Sequence, residues 1–157
     1  MGAQRRAGPR CNCCAAEGSR SGWPTGSGTR RADAAAKAAH AALVAAEKAG
    51  RKVSVAVVDR NGNTVATLRG DGAGPQSCES AERKGCTAVS WNAPTSELAV
   101  RLRKAPQLKD IPGTLFLAGG APVQAHGAPV AGIGVAGAPS GDQDEKFARA
   151  GVAALSR

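Results

Sequence analysis

Gly119–Gly151 reads GGAPVQAHGAPVAGIGVAGAPSGDQDEKFARAG, and this stretch decides the fold. It encodes two short strands, a tight turn at His126-Gly127 and a helix. Val130, Ile133 and Val135 are β-branched or bulky strand formers, whereas Gly132, Gly134 and Gly137 have no side chain. Glycine inside a strand weakens it unless another backbone or a ligand fills the space. The segment therefore reads as one wall of a pocket, or as a strand pressed under a helix. Ser140 is the expected N-cap of the following helix, and Gln143 completes the spacing of a capping box. Asp142, Asp144 and Glu145 occupy the first turn, where the helix dipole favours negative charge.

Upstream, Asp33 is expected to cap an alanine-rich helix that stops at Gly50, a C-cap signal. Lys52–Asp59 (KVSVAVVD) is β-branched and alternating, Asn61-Gly62 is the hairpin dipeptide, and Thr64–Arg69 (TVATLR) returns as the second strand. Gly70–Gln76 (GDGAGPQ) is a loop. Ser77 to about Asn92 reads as a helix weakened by Gly85, and Thr95 or Ser96 opens another through Lys104. Pro106–Pro112 connects to Thr114–Ala118 (TLFLA), an apolar run that predicts a central strand. The resulting order, α-β-β-α-α-β-β-β-α, implies an α+β protein: an antiparallel sheet covered by helices.

The 157 residues suit one domain, residues 32–157, behind a basic tail of residues 1–31. The apolar fraction of 42% is mostly alanine and valine, with 3% aromatic residues and no tyrosine. Small side chains let helices approach a sheet closely but bury less area, so homo-oligomerisation is expected to add to the core. The net charge of +9 is uneven, since residues 1–31 hold six arginines and one acid. A solvated arm outweighs nucleic-acid binding as the reading of that tail. No apolar run reaches the length of a membrane span. The N-terminus lacks the apolar core of a secretory signal, so the sequence as written reads as cytoplasmic, or secreted if the start site is wrongly assigned.

Dedicated catalytic motifs are absent: there is no HExxH, no phosphate loop and no Ser-His-Asp pattern. Three of the five cysteines, Cys11, Cys13 and Cys14, cluster in the tail without the second ligand pair that a zinc site needs. Cys78 and Cys86 fall on one helix about 12 Å apart, too far for a mutual disulfide.

Taken in order, VSVAVVDRNGNTVATLRGDGAGP (Val53–Pro75), ESAERKGCTAVS (Glu79–Ser90), APTSELA (Ala93–Ala99), GGAPV (Gly119–Val123), GIGVAGAPSGDQDE (Gly132–Glu145) and ARAGVAAL (Ala148–Leu155) resemble the GlcG/HbpS haem-binding family. The resemblance covers the chain from about Ala32 onward. It implies a profilin-like fold with a five-stranded antiparallel sheet flanked by helices, assembly into homo-oligomers, and haem as cofactor. Some members of that family are linked to haem breakdown and others to redox or iron sensing. A non-catalytic sensor or scaffold that has lost haem binding is the alternative. Breakdown would run by coupled oxidation with an outside reductant rather than through a dedicated enzyme site.

The resemblance also supplies candidate site residues. Thr87 lies on the helix that the family associates with haem. Gln76 stands where close relatives often carry histidine, and Cys86 stands where an aromatic residue is usual. Arg83 and Lys84, with Arg69 at the end of the second strand, are candidates to meet haem propionates; solvation is the ordinary role of such residues. His40 could face a groove from the first helix, although a partly buried helix histidine is the commoner case. Glu79 and Glu82 form an ExxE pair on one helical face, suited to an iron ion. Arg83 stands four residues after Glu79 and could equally pair with it. The expected pocket lies between the Gly70–Gln76 loop, the Ser77–Asn92 helix and the glycine-rich last strands.

Overall fold

The structure is a computed structural model and describes residues 31–155. The expected tail of residues 1–31, with its three cysteines, lies outside the described residues except for Arg31. The elements are α1 (Arg31–Lys48), β1 (Ser54–Asp59), β2 (Thr64–Arg69), α2 (Ser77–Trp91), α3 (Thr95–Arg101), a 3-10 turn (Pro106–Asp110), β3 (Gly120–Ala125), β4 (Ala128–Ala136) and α4 (Gly141–Leu155). Arg31 already belongs to α1, so Asp33 sits in the first turn of the helix.

One antiparallel sheet of four strands runs in the order β2-β1-β4-β3. Both hairpins follow from their turn residues. In the first, Asp59 Oδ1 accepts hydrogen bonds from the N–H groups of Asn61 and Asn63, and Gly62 takes φ +83°. In the second, His126 and Gly127 both adopt positive φ, the signature of a tight two-residue hairpin. The inner strand β1 is buried along its whole length, while β2 and β3 form the free edges.

Alternation along the strands sends two different surfaces to the two sides of the sheet. Val55, Val57, Ile133 and Val135 join Val53 and the alanines of α1 and α4 in the main core. Each of these five side chains is fully buried, worth about 1.5–3 kcal/mol relative to exposure. On the other side Ala56, Gly132, Gly134 and Ala136 meet α2. The helix lies against the strand backbone itself: a Cβ on Gly134 would fall 1.9 Å from the Ala81 carbonyl oxygen, and one on Gly132 would fall 2.1 Å from that of Gly85. Gly85 in turn approaches Gly134 from the helix side. The glycine-rich strand is therefore the strand pressed under a helix, and the helix fills the space that the missing side chains leave.

The expected fifth strand, Thr114–Ala118, is not one. That segment is irregular, and its Leu115 N–H bonds to the Thr87 hydroxyl of α2 at 2.8 Å instead of to a neighbouring strand. Phe116 turns inward, edge-on to Trp91 with ring centroids 5.1 Å apart, and packs with Ala93 and Leu98. Leu117 faces outward, 59% exposed. Apolarity in this run thus reflects one anchoring ring and not a buried ladder. The α+β class holds with four strands.

Candidate functional site

A cleft of about 550 Å³ opens at the end of the sheet where α2 and α4 both begin. Its walls are Gly74 and Gln76 from the loop before α2, Ser77, Ser80 and Lys84 from α2, and Leu115, Leu117 and Ala118 from the irregular segment. The end of β4 and the start of α4 close it with Ala136, Gly137, Ala138, Gly141, Asp142 and Asp144. The expected position, between the loop, the helix and the last strands, is matched at the far end of β4. It is not matched along the Gly132–Gly134 stretch, which α2 occupies.

Lys84 forms the floor. It follows Ala81 by three residues and precedes Ala88 by four, on the face of α2 that turns to the sheet, and is only 5% exposed. Its Nζ donates to Asp144 Oδ2 at 2.9 Å and to the Val135 carbonyl at 3.0 Å. Asp144 Oδ1 accepts from the Ala138 N–H at 3.0 Å, so one carboxylate ties α4 to α2 and to the chain leaving β4. Burial pushes the Asp144 carboxyl above its ordinary 3.8, because desolvation outweighs the hydrogen bond and charge of Lys84 and the backbone donors. Gly119, at φ +131°, passes so close that a Cβ there would lie 2.7 Å from Lys84 Nζ.

A chain of hydroxyls lines the neighbouring wall. Ser77 Oγ donates to the Gly74 carbonyl, which leaves Ser54 to donate to Ser77 at 2.7 Å, and Cys78 Sγ donates to Ser54 at 3.4 Å. Arg69 clasps the loop from outside, donating from Nε and Nη2 to the Ala73 carbonyl. At the start of α4, Ser140 Oγ accepts from the Gln143 N–H at 3.4 Å. The Gln143 Oε1 atom has no partner among the described residues, so the second half of the capping box does not form.

The structure brings Gln76 and Lys84 together at the cleft and leaves the other sequence candidates elsewhere. Arg83 pairs with Glu79 one turn back and borders a separate hollow with Glu82, Cys86 and Gly62. Glu82 accepts from the Thr67 hydroxyl at 3.0 Å. Among the described residues no group of three or more His, Cys, Asp or Glu is placed to hold a metal ion. Thr87 is fully buried, and its hydroxyl is engaged twice: it donates to the Arg83 carbonyl and accepts from the Leu115 N–H. His40 is exposed on α1, across the sheet from α2. Sequence reasoning missed Asp142 and Asp144 as lining groups, Ser77 and Ser80 as rim hydroxyls, and Leu115 and Leu117 as a wall. The signal for Lys84 was present, since it shares a helical stripe with Ala81, Gly85 and Ala88.

A four-stranded antiparallel sheet with one helix seated on strand glycines and a cleft at the sheet's end defines a small α+β class of protein. Residues 31–153 match the model of the family described as haem degrading protein HbpS-like, and the chain belongs to that family. A crystal structure of a double Glu→Asp mutant of Streptomyces reticuli HbpS is 73% identical, with a TM-score of 0.78 over 88% of this chain and 95% of that one. The ORFY protein of Klebsiella pneumoniae is 27% identical, with a TM-score of 0.74 over 81% of this chain and 90% of that one. A PduOC–haem complex is 26% identical, with a TM-score of 0.70 over 77% of this chain and 91% of that one. No curated protein matches.

Proposed function

We propose that this protein binds haem, or a tetrapyrrole like it, in the cleft at the end of the sheet. The carrying observation is the cleft itself: about 550 Å³, open on one side and lined by Leu115, Leu117, Ala118 and Ala136 beside Ser80, Gln76 and Lys84. That combination suits a flat apolar body with polar substituents. The family membership and the relative solved with haem support the same reading.

The residues present fit the macrocycle. Leu115 and Leu117 would pack on its face, and Gln76 and Ser80 would meet its carboxylates. Lys84 has one ammonium hydrogen beyond the two already bonded to Asp144 and Val135. Among the described residues the lining contains no histidine, cysteine, methionine or tyrosine, so with the Lys84 nitrogen bonded to Asp144 and Val135 the cleft offers iron oxygen donors. When bound, haem supplies redox-active iron; the protein holds it and limits water at its faces. Haem breakdown by coupled oxidation, a redox- or iron-sensing role and assembly into homo-oligomers remain parts of this proposal. The two glutamates changed in the Streptomyces reticuli mutant are also three positions apart, which supports Glu79 and Glu82 as an iron-ion pair once Arg83 swings away.

Titration of the purified chain with hemin tests the reading. A Soret band that saturates near one hemin per chain is expected, and Ser80→Trp, which fills the cleft from its rim, weakens binding about tenfold or more. Absence of a saturable shift, or equal binding by Ser80→Trp, rejects it.

A further inference from the structure

Among the described residues, the large apolar side chains left exposed are Val100 (58%), Ile111 (41%) and Leu117 (59%), and all three fall within one stretch of the chain. That stretch, Val100–Leu117, also carries Arg101, Arg103, Lys104 and Lys109, every one of them exposed, against the single acid Asp110. It comprises the end of α3, the 3-10 turn and the irregular segment. Leu102, Leu108 and Phe116 fix it to the body through the cluster around Leu98. Its outer side keeps a shallow groove of about 230 Å³ lined by Leu102, Lys109, Thr114, Leu115, Phe116 and Leu117. Exposed aliphatic side chains cost free energy in water, and their confinement to a single basic lobe calls for a partner.

We infer that this lobe is a docking surface for an anionic lipid bilayer. Three properties select that partner. The net charge of the lobe, four bases against one acid, demands an anionic counterpart. A second copy meeting it about a twofold axis would place the same basic residues against one another. A protein partner would ordinarily be gripped by exposed aromatic anchors, and here Phe116 is buried and Trp91 packs edge-on against it. Single exposed aliphatic side chains interspersed in the sequence with exposed lysine and arginine suit shallow insertion between acidic headgroups. No helix of the described residues is long and apolar enough to cross a membrane, so the contact is peripheral. Leu115 and Leu117 border both the groove and the cleft, so the inference is tested through Val100, Ile111, Arg103 and Lys109, none of which lines the cleft.

Co-sedimentation of the full chain with phosphatidylcholine vesicles, with and without phosphatidylglycerol, tests it at about 0.15 M salt. The chain is expected to pellet only with the phosphatidylglycerol vesicles. Val100→Ser/Ile111→Ser leaves the net charge untouched and is expected to lower the bound fraction about fivefold. Arg103→Glu/Lys109→Glu is expected to abolish binding, and circular dichroism checks that both variants are folded. Equal pelleting with both vesicle types overturns the proposal, as does failure to pellet with either. Undiminished binding of Val100→Ser/Ile111→Ser also overturns it, because attraction then belongs to the basic chain as a whole. If that variant instead lowers the molar mass measured by light scattering without vesicles, a second copy covers the lobe and the proposal falls.

Discussion

Ile133 and Gly134 are neighbours on β4, yet they meet opposite regimes. Ile133 points into a core of valines and alanines under α1 and α4, where volume is shared among many small side chains. Gly134 points at the backbone of α2, with no side chain on either side of the contact. Where side chains meet, a lost methylene leaves a small void that neighbours partly fill. Where backbones meet, an added carbon has nowhere to go, because carbonyl groups held in a helix cannot rotate aside. The two faces of one sheet therefore differ in what they tolerate: one accepts exchange among aliphatic residues, and the other requires glycine at positions 132 and 134.

The strongest way to break this comparison is to cut the tie between the faces. Lys84 on one side and Asp144 on the other meet around the sheet's end with both side chains nearly fully buried. Lys84→Ala leaves a buried carboxylate unpaired and is expected to cost about 3–5 kcal/mol in a urea melt. The same pair gives a pH dependence with an unusual sign. Because the folded-state pKa of Asp144 is raised, its contribution to stability is fully present below about pH 3.8 and declines as pH rises through the higher folded value. Asp144→Asn is expected to remove that decline, seen in chemical denaturation from pH 3 to pH 7 (an approximate working range of about four pH units). A decline of the same size in the variant would count against it.

Gly134→Ala comes next, at about 3 kcal/mol, the upper part of the range for overpacking. Hemin binding is expected to fall with it, since a displaced α2 carries Ser77, Ser80 and Lys84 away from β4. Thr87→Val keeps the shape but strands the Leu115 N–H, at about 1–3 kcal/mol. It also loosens the wall that Leu115 and Leu117 give the cleft, so a faster loss of hemin to an apomyoglobin acceptor is expected. The smallest effect belongs to the padded face. Ile133→Val is expected to cost about 1 kcal/mol with hemin binding unchanged. If Ile133→Val proves as damaging as Gly134→Ala, the two faces do not differ as described.

Much of this architecture was legible in the sequence because its signals are local. Asn61-Gly62 and His126-Gly127 mark both hairpins, and the glycines of β4 announce a close approach before any partner is known. Two features needed long-range information. An apolar run such as Thr114–Ala118 has no periodicity that separates a buried strand from a loop pinned by one ring. Gly113 and Gly119 at its ends, both at positive φ, are the physical reason that the chain turns out of the sheet. The sequence offers Lys84 as a candidate for haem propionates but hides its buried ion pair, because Asp144 lies 60 positions away on α4. No spacing rule links them, although the alanines and glycine around Lys84 on its helix already pointed inward. Gln76 and the general place of the cleft were suggested by the family resemblance, while the acids of its rim were not.

The margins of the sheet carry a consequence of their own. Among the described residues β2 and β3 each have an unpaired side, and such margins invite a strand from another molecule to continue the ladder. Pro122 sits within β3 and contributes no N–H, and the pairing of β3 with β4 slips between Val123 and Gln124. The pairing of β1 with β2 slips likewise between Val57 and Val58. An incoming strand would find a template out of step on either border. Molecules of this chain are thus steered toward meeting through helices and loops, and away from runaway stacking into fibres.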